Sequence, residues 1–326
     1  MSFNQYTWDL YKQTTIGIEM IKYFSDAGGY VLFKDYCPYA NFIPEDLYND
    51  WLENIYCYGV SDYDHPSSLE EAKDLYISLI TLGIRVEGQQ WLPANDFKNM
   101  LGIIQPMSYV LSQFAPEYFF PYLFLCRIFE LNKIADFFNI DLPNIPKRTD
   151  YKGRCMYYWE LCEVFYLFRK ENGLSPADLW SFLYDFAPNN LPSEKIDMPK
   201  PSQVWFIGGR LYQEDKSLES KFWQSSPETK KGDILVHYET SPISAITCIE
   251  TSLTDGVIDP LFRYYGCIYI GNRINIPHIT LKELQTDEYF FKHPLVRKNF
   301  QGVNGWSVNS ENYSELLRMI KTKGFD

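Results

Sequence analysis

Residues 230–238 read KKGDILVHY, a Lys-Gly turn signal followed by a short run of aliphatic and aromatic residues. Three similar runs surround it: VWFI at 204–207, SAITCI at 244–249 and YYGCIYI at 264–270. Each run is bounded by Gly, Pro, Ser or Asp, and β-branched and aromatic runs with such boundaries are typical of strands. The sequence therefore predicts a β-rich C-terminal domain over residues 202–326.

A proline-rich stretch, APNNLPSEKIDMPKP at 187–201, precedes the predicted strands. Proline fixes φ and lacks a backbone N–H, so its four prolines predict that no regular helix or central strand forms there. We place a linker at 188–201, between an N-terminal domain at 1–187 and the C-terminal domain. A chain of 326 residues also favours two domains over one.

The N-terminal domain shows mostly helical patterns. Ser67-x-x-Glu70 and Ser68-x-x-Glu71 both match a capping box, and the amphipathic run after them ends at Gly83. Further helices are predicted at 155–170, from a Ser175 cap, from the capping box at Thr280, and after a Ser310 cap. The expected fold class is α+β: a mostly helical N-terminal domain followed by a small β domain with flanking helices.

The negative charge is concentrated in the N-terminal part. The chain carries a net charge of −12, and residues 201–326 hold 14 Lys and Arg against 15 Asp and Glu, which leaves −11 for residues 1–200. Proteins that grip duplex DNA usually carry a basic excess. The N-terminal domain is therefore not expected to bind DNA, whereas the nearly neutral C-terminal part is compatible with binding a strand weakly or reading one base.

The cellular setting is read from what the sequence lacks. It has no uncharged apolar run of about 18 residues and no signal peptide at its N-terminus, so neither a membrane span nor secretion is expected. Its seven cysteines form no CxxC pair and lie mostly among apolar neighbours, which predicts buried thiols in a reducing compartment, the cytoplasm. The four histidines are widely spaced, so no metal site and no cofactor are expected.

The common catalytic motifs are missing. The sequence contains no GxxxxGK[ST], GxSxG or HExxH. Glu214-Asp215-Lys216 matches the E-x-K fragment of some nucleases, with Asp197 as a potential partner, but it falls in a predicted loop. His237 is interpreted as a core or surface histidine. No catalytic residue is assigned, and an enzyme is the less favoured reading.

The serial order of segments in residues 202–322 resembles a PUA-like module of the EVE or YTH kind. The resemblance implies a small closed β-barrel with flanking helices. The matching segments are an opening strand VWFIGG (204–209), a short helix and Trp-containing turn KFWQSS (221–226), the K-x-GD strand KKGDILVHY (230–238), a hairpin strand SPISAITCIETSL (241–253), a strand-to-helix passage INIPHITLKEL (274–284), and a closing strand NFQGVNGWSV (299–308) with the final helix.

This resemblance implies a pocket that holds one flipped-out base, often a modified one, between aromatic side chains. Trp223 is the first cage candidate, with a hydrophobic anchor as its alternative role. Phe262, Tyr264 and Tyr265 are the candidates for the second cage aromatic, and Phe262 is favoured among them. The remaining candidates have a turn as their alternative role. They are Gly208 and Gly209 for close backbone approach, Trp306 and Gln301 as pocket residues, and Lys230 and Lys231 as phosphate contacts.

The function expected from the resemblance is a non-catalytic reader of a modified base in DNA or RNA. EVE-like modules are frequently fused to effector domains of restriction and antiviral systems, which makes a sensor role in such defence one implication. Two alternatives stay open: a nuclease or nucleotide-acting enzyme with its active site in the helical domain, and a protein-interaction scaffold built on the aromatic-rich N-terminal part.

Overall fold

The computed structural model describes residues 3–38, 40–86, 89–90, 92–191, 198–210, 221–261 and 266–324. The fold is α+β, as expected. The chain divides into two compact units. The first comprises Met1–Ser193 and Asp259–Tyr264, and the second comprises Glu194–Ile258 and Tyr265–Asp326. The predicted division drew each domain as one continuous stretch, whereas the first unit also takes in a short segment from the C-terminal part.

The first unit is built from helices, with one two-stranded ribbon, β1 (Arg85–Val86) and β2 (Gln89–Gln90). Two of its helical stretches continue as π-helical turns, Tyr56–Val60 and Phe182–Phe186. Its α-helices are α1 (Gln5–Gln13), α2 (Thr15–Asp26), α3 (Gly29–Tyr36), α4 (Glu45–Ile55), α5 (Leu69–Leu82), α6 (Phe97–Met100), α7 (Ile104–Phe114), α8 (Ile128–Phe138), α9 (Tyr151–Glu171), α10 (Pro176–Ser181) and α11 (Ala187–Asn190).

Local capping signals start and stop these helices. At α5 the Ser68 hydroxyl accepts the backbone N–H of Glu71, and Gly83 ends the helix with φ +74°. At α10 Ser175 and Asp178 form a reciprocal capping box, with Pro176 in the first turn. The predicted helix starts here are confirmed.

The prediction that no helix forms around Pro188 is wrong. Pro188 lies in the first turn of α11, which follows directly on the π-helical turn Phe182–Phe186. The helix ends at Asn190, two residues before the next proline. Residues 192–197 of the predicted linker lie outside the described residues.

Aromatic side chains fill the core of the first unit. Phe33 and Tyr48 stack with ring centroids 4.5 Å apart, and Trp8 and Trp159 are fully buried. Several buried tyrosines keep their hydroxyls hydrogen-bonded: that of Tyr76, for example, donates to the Cys155 carbonyl at 2.6 Å, whereas the Tyr122 hydroxyl has no partner among the described residues. Burying an aromatic ring while pairing its polar end explains how the core accommodates so many tyrosines.

The second unit is a curled mixed sheet with helices on one face. Its strands follow the order β4-β8-β6-β5-β3-β9, and β7 pairs with β8. The β3–β5 pair is parallel and the other pairs are antiparallel. The elements are β3 (Val204–Gly209), β4 (Lys221–Ser225), β5 (Ile234–Glu239), β6 (Ala245–Ser252), β7 (Val257–Ile258), β8 (Gly266–Thr280), α12 (Leu281–Thr286), α13 (Pro294–Arg297), β9 (Trp306–Val308) and α14 (Ser310–Thr322).

The two faces of this sheet carry separate cores. The outer face packs Phe206, Val236 and Tyr238 against the helices, including Leu284 and Leu316. We call the face opposite the helices the inner face, and it carries a smaller hydrophobic cluster. That cluster consists of Trp205, Ile207, Leu235, Ile268 and Ile270, with Trp223 packed against it.

The sheet does not close into the barrel that was expected. Its edge strands are β4 and β9, and the described residues show no strand pairing between them. The turn before β9 nevertheless lies against the end of β4. A Cβ atom at Gly305 (φ +73°) would overlap the backbone at Ser226, and the Asn304 side-chain amide is 3.4 Å from Gln224 Oε1. Side chains and a turn, rather than a backbone ladder, bring the edges together.

The Gly232-Asp233 pair before β5 has a structural role. The fully buried Asp233 accepts hydrogen bonds from the backbone N–H groups of Ser202, Gln203 and Lys230, at 2.9–3.0 Å, and from the Trp205 indole at 2.9 Å. Asp233 thereby ties the start of β5 to the start of β3.

No helix in the described part of the chain is long and apolar enough to cross a membrane.

Candidate functional site

Trp223 lies in a strand and not in the turn that was expected. It sits in the middle of the edge strand β4, paired with Ile268 of β8. The short helix and turn expected at 221–226 are therefore wrong for residues 221–225, which form a strand. Its partly buried indole contacts the His237 ring edge to face, with centroids 4.7 Å apart. The ring also lies so close to Gly209 that a Cβ atom there would overlap it.

The two glycines of β3 face opposite sides of the sheet. Gly209 makes room for the Trp223 ring on the inner face, as described above. Gly208 faces the turn before β9: a Cβ atom there would overlap Val303, and its N–H donates to Asn304 Oδ1 at 2.8 Å. The close approach at Gly208 is therefore explained by packing of that turn.

Trp306 and Gln301 are not brought together with Trp223. Trp306 pairs with Phe206, a residue of the outer face, and side chains directly opposite each other in a ladder share a face. It is 37% exposed and its ring centroid is 6.4 Å from that of His293. Gln301 is exposed in the turn before β9. These residues and Trp223 do not form one cage.

The predicted phosphate contacts lie at the other end of β5 from His237. The exposed Lys230 has its ammonium 4.0 Å from the Asp255 carboxylate, and the N–H of Lys231 donates to Asp255 at 2.8 Å. Both lysines precede β5, which begins at Ile234, and His237 is the fourth residue of that strand, roughly 10 Å further along it. Phe262, the predicted second cage aromatic, lies outside the described residues, as do Glu214–Lys216 and Asp197.

The structure also assembles a polar cluster on the inner face that the sequence reading missed. A ring nitrogen of His237, the Cys248 thiol and a carboxylate oxygen of Glu250 lie within 4.8 Å of one another. His237 and Cys248 are 0% exposed and Glu250 is 2% exposed. The partly exposed Arg273 of β8 reaches Glu250 Oε1 through Nε at 2.8 Å and Nη2 at 2.7 Å.

Strand register brings these residues together. His237 of β5 lies opposite Cys248 of β6, and the pairing shifts between His237 and Tyr238. Such bulges are common beside functional sites because they redirect side chains. No sequence motif joins positions 237, 248, 250 and 273. The period-2 alternation in DILVHY places His237 on the same face of the sheet as Leu235. This alternation was the one feature of the sequence that indicated where the His237 side chain lies.

Electrostatics fix the state of Glu250. Burial alone would raise the pKa of its carboxyl, but the hydrogen bond from His237 and the charge of Arg273 bring the pKa below its ordinary value. Glu250 is therefore a carboxylate, and the Nδ1 of His237, 2.9 Å from Glu250 Oε2, carries the proton that it donates. This leaves Nε2 of His237 buried and without a partner among the described residues.

The order Cys–His–Glu has the layout of a nucleophile, a base and an orienting carboxylate. The environment of the thiol argues against that chemistry. Burial raises the pKa of Cys248 to about 12, so the group is a thiol and not the reactive thiolate, and it is closed to solvent. The cluster is better suited to holding a small ligand than to attacking a substrate.

Comparisons with known proteins identify no family. No family model and no curated protein matches the chain. The solved NMR structure of Rpa0253 from Rhodopseudomonas palustris is similar over 37% of this chain and 94% of that chain, at 13% sequence identity and a TM-score of 0.32. A TM-score of this size establishes neither the fold nor the function of this chain.

Proposed function

We propose that the second unit is a non-catalytic, PUA-like nucleic-acid reader that holds one modified base against the Trp223 indole. The observation that carries the proposal is the setting of Trp223. Its ring is only partly buried, and it is held in place by Gly209 and His237 at an edge of the sheet. A fixed, partly exposed aromatic ring is a surface on which a planar base can stack.

The serial order of segments that resembles an EVE or YTH module supports the same proposal. Stacking of a base on an aromatic side chain contributes about 1–3 kcal/mol. A methylated base is more apolar and polarisable than its parent, so an aromatic surface favours it. Gln224 and Asn304, side by side at the end of β4, supply amide groups that can read a base edge.

The test is fluorescence anisotropy of short single- and double-stranded oligonucleotides at fixed salt. The oligonucleotides carry a methylated, a hydroxymethylated or an unmodified base. We expect tighter binding of one modified form by the wild-type chain, and loss of that preference in Trp223→Ala, with affinity falling about 5- to 100-fold.

Trp306→Ala is the matched control, because Trp306 is the more exposed ring and lies on the other face of the sheet. It should bind like the wild type. The reader function would be refuted if affinity were the same with and without the modification and with and without the Trp223 substitution, or if no oligonucleotide bound. The helical unit would then be the candidate for the activity of the protein.

A further inference from the structure

His237 is arranged like a metal-ligating histidine. Such histidines usually donate their second ring N–H to a carboxylate that is itself held by other groups, which fixes the ring and directs the free nitrogen to the ion. Here Nδ1 donates to Glu250, and Arg273 holds Glu250 through two nitrogens. The remaining nitrogen, Nε2, is buried and unpartnered among the described residues, so it points to a missing ligand.

The burial of the cluster limits the size of that ligand. His237 and Cys248 are 0% exposed, so a nucleobase on the far side of Trp223 does not reach Nε2. A ligand of Nε2 is therefore as small as an ion or a single water molecule. Cys248 faces His237 across the β5–β6 ladder and supplies a second donor atom, sulfur.

Charge balance selects the kind of ion. The carboxylate of Glu250 and the guanidinium of Arg273 form an ion pair whose charges cancel, so this pair leaves no net negative charge to balance a bound cation. A divalent ion that displaced the thiol proton would leave a buried positive charge beside Arg273, which is unfavourable. A monovalent ion in place of that proton leaves the buried charge unchanged. Because Arg273 and His237 occupy both oxygens of Glu250, the free donors are one sulfur and one nitrogen.

We propose that Nε2 of His237 and Sγ of Cys248 bind one soft monovalent transition-metal ion of the Cu(I) class. Thiolate ligands select such ions. Binding forms one metal–sulfur and one metal–nitrogen bond and releases the thiol proton, with no change of oxidation state. Cys248 lies directly opposite His237 in the β5–β6 ladder, and its Sγ is within 4.8 Å of a nitrogen of that ring. Glu250 is a positioning residue that orients the ring.

The test is an anaerobic titration of the full chain with Cu(I) against a competing chromophoric chelator, with Zn(II) as a parallel arm. Cys57→Ser serves as the background in every protein, because Cys57 is the exposed cysteine. We expect one equivalent of Cu(I) to bind, and binding to be lost in Cys248→Ser and in His237→Gln. Glu250→Gln should keep the stoichiometry with affinity lowered about 10- to 100-fold.

Cys267→Ser is the matched control, since Cys267 is another buried cysteine of the same sheet and lies outside the cluster. It should bind like the background protein. X-ray absorption at the copper edge needs no cluster variant, and one sulfur and one nitrogen neighbour are expected.

Several results would overturn the proposal: retained uptake in Cys248→Ser or His237→Gln, a sulfur-only shell, or no binding at all, which would assign Nε2 to a buried water. Preference for Zn(II) with full dependence on Glu250 would overturn it in favour of a divalent site. None of these results bears on oligonucleotide binding, so the reader function and the ion site stand or fall separately.

Discussion

At the scale of single residues, Asp233 is the group on which the second unit most depends. Its carboxylate receives three backbone N–H groups, the Ser202 hydroxyl and the Trp205 indole. In Asp233→Asn an amide NH₂ replaces one acceptor oxygen, so at least two buried donors lose their partner. We expect the free energy of unfolding to fall by about 3 kcal/mol, measured by urea denaturation. Asp255→Asn is the control at an exposed carboxylate and should cost less than about 1 kcal/mol.

The same residue predicts a pH dependence. Burial would raise the pKa of Asp233, but the N–H of Lys230, the Trp205 indole and Ser202 together lower it below its ordinary value. A lowered folded-state pKa adds stability above the unfolded pKa of about 3.9, and that contribution is lost as pH falls through the folded value. The difference in unfolding free energy between wild type and Asp233→Asn should therefore be largest at about pH 6 to 7 and should shrink below about pH 4. A gap that stays constant down to about pH 2 would contradict this.

At the scale of elements, Gly305 decides how the edges of the sheet meet. Gly305 and Gly302 both have positive φ, +73° and +72°, but a Cβ atom at Gly305 would overlap the backbone at Ser226, whereas nothing lies within 4 Å at Gly302. Gly302→Ala should cost about 1 kcal/mol of unfolding free energy for the backbone alone, and Gly305→Ala clearly more. Urea denaturation of both variants measures the difference. Equal losses of unfolding free energy would show that the contact between the turn before β9 and the end of β4 contributes little to stability.

Elements also show what the sequence could and could not reveal. The starts of α5, α10 and α12 were predictable because each N-cap side chain accepts the backbone N–H of a residue three positions on, and at α10 and α12 a reciprocal capping box forms. The strand that carries Trp223 was not, because β4 is fixed by pairing with β8, some 45 residues on, and not by its own pattern. The cluster of His237, Cys248 and Glu250 depends on the register of the β5–β6 pair and on its shift after His237, so alternation gave the face of His237 and not its partners.

At the scale of the whole molecule, the charge distribution sets a limit on how the proposed reader can bind. The chain has a net charge of −12, and residues 201–326 hold one more acid than base. Lys230 and Lys231, the candidate phosphate contacts, lie at the other end of β5 from His237 and beside Asp255. Affinity must then come mainly from stacking and hydrogen bonds to a base, which salt hardly screens, rather than from release of counterions.

This argument predicts a shallow salt dependence. Raising salt from about 50 to 200 mM should weaken binding of the preferred modified oligonucleotide by less than about 10-fold, whereas a protein with about 6–10 phosphate contacts loses about 10³- to 10⁵-fold. The anisotropy titration repeated at several salt concentrations gives the slope. Lys230→Ala and Lys231→Ala should leave that slope unchanged. A steep slope that either substitution reduces would show that the strand is held through its phosphates near the start of β5, and the binding surface would then have to be placed there instead of at Trp223.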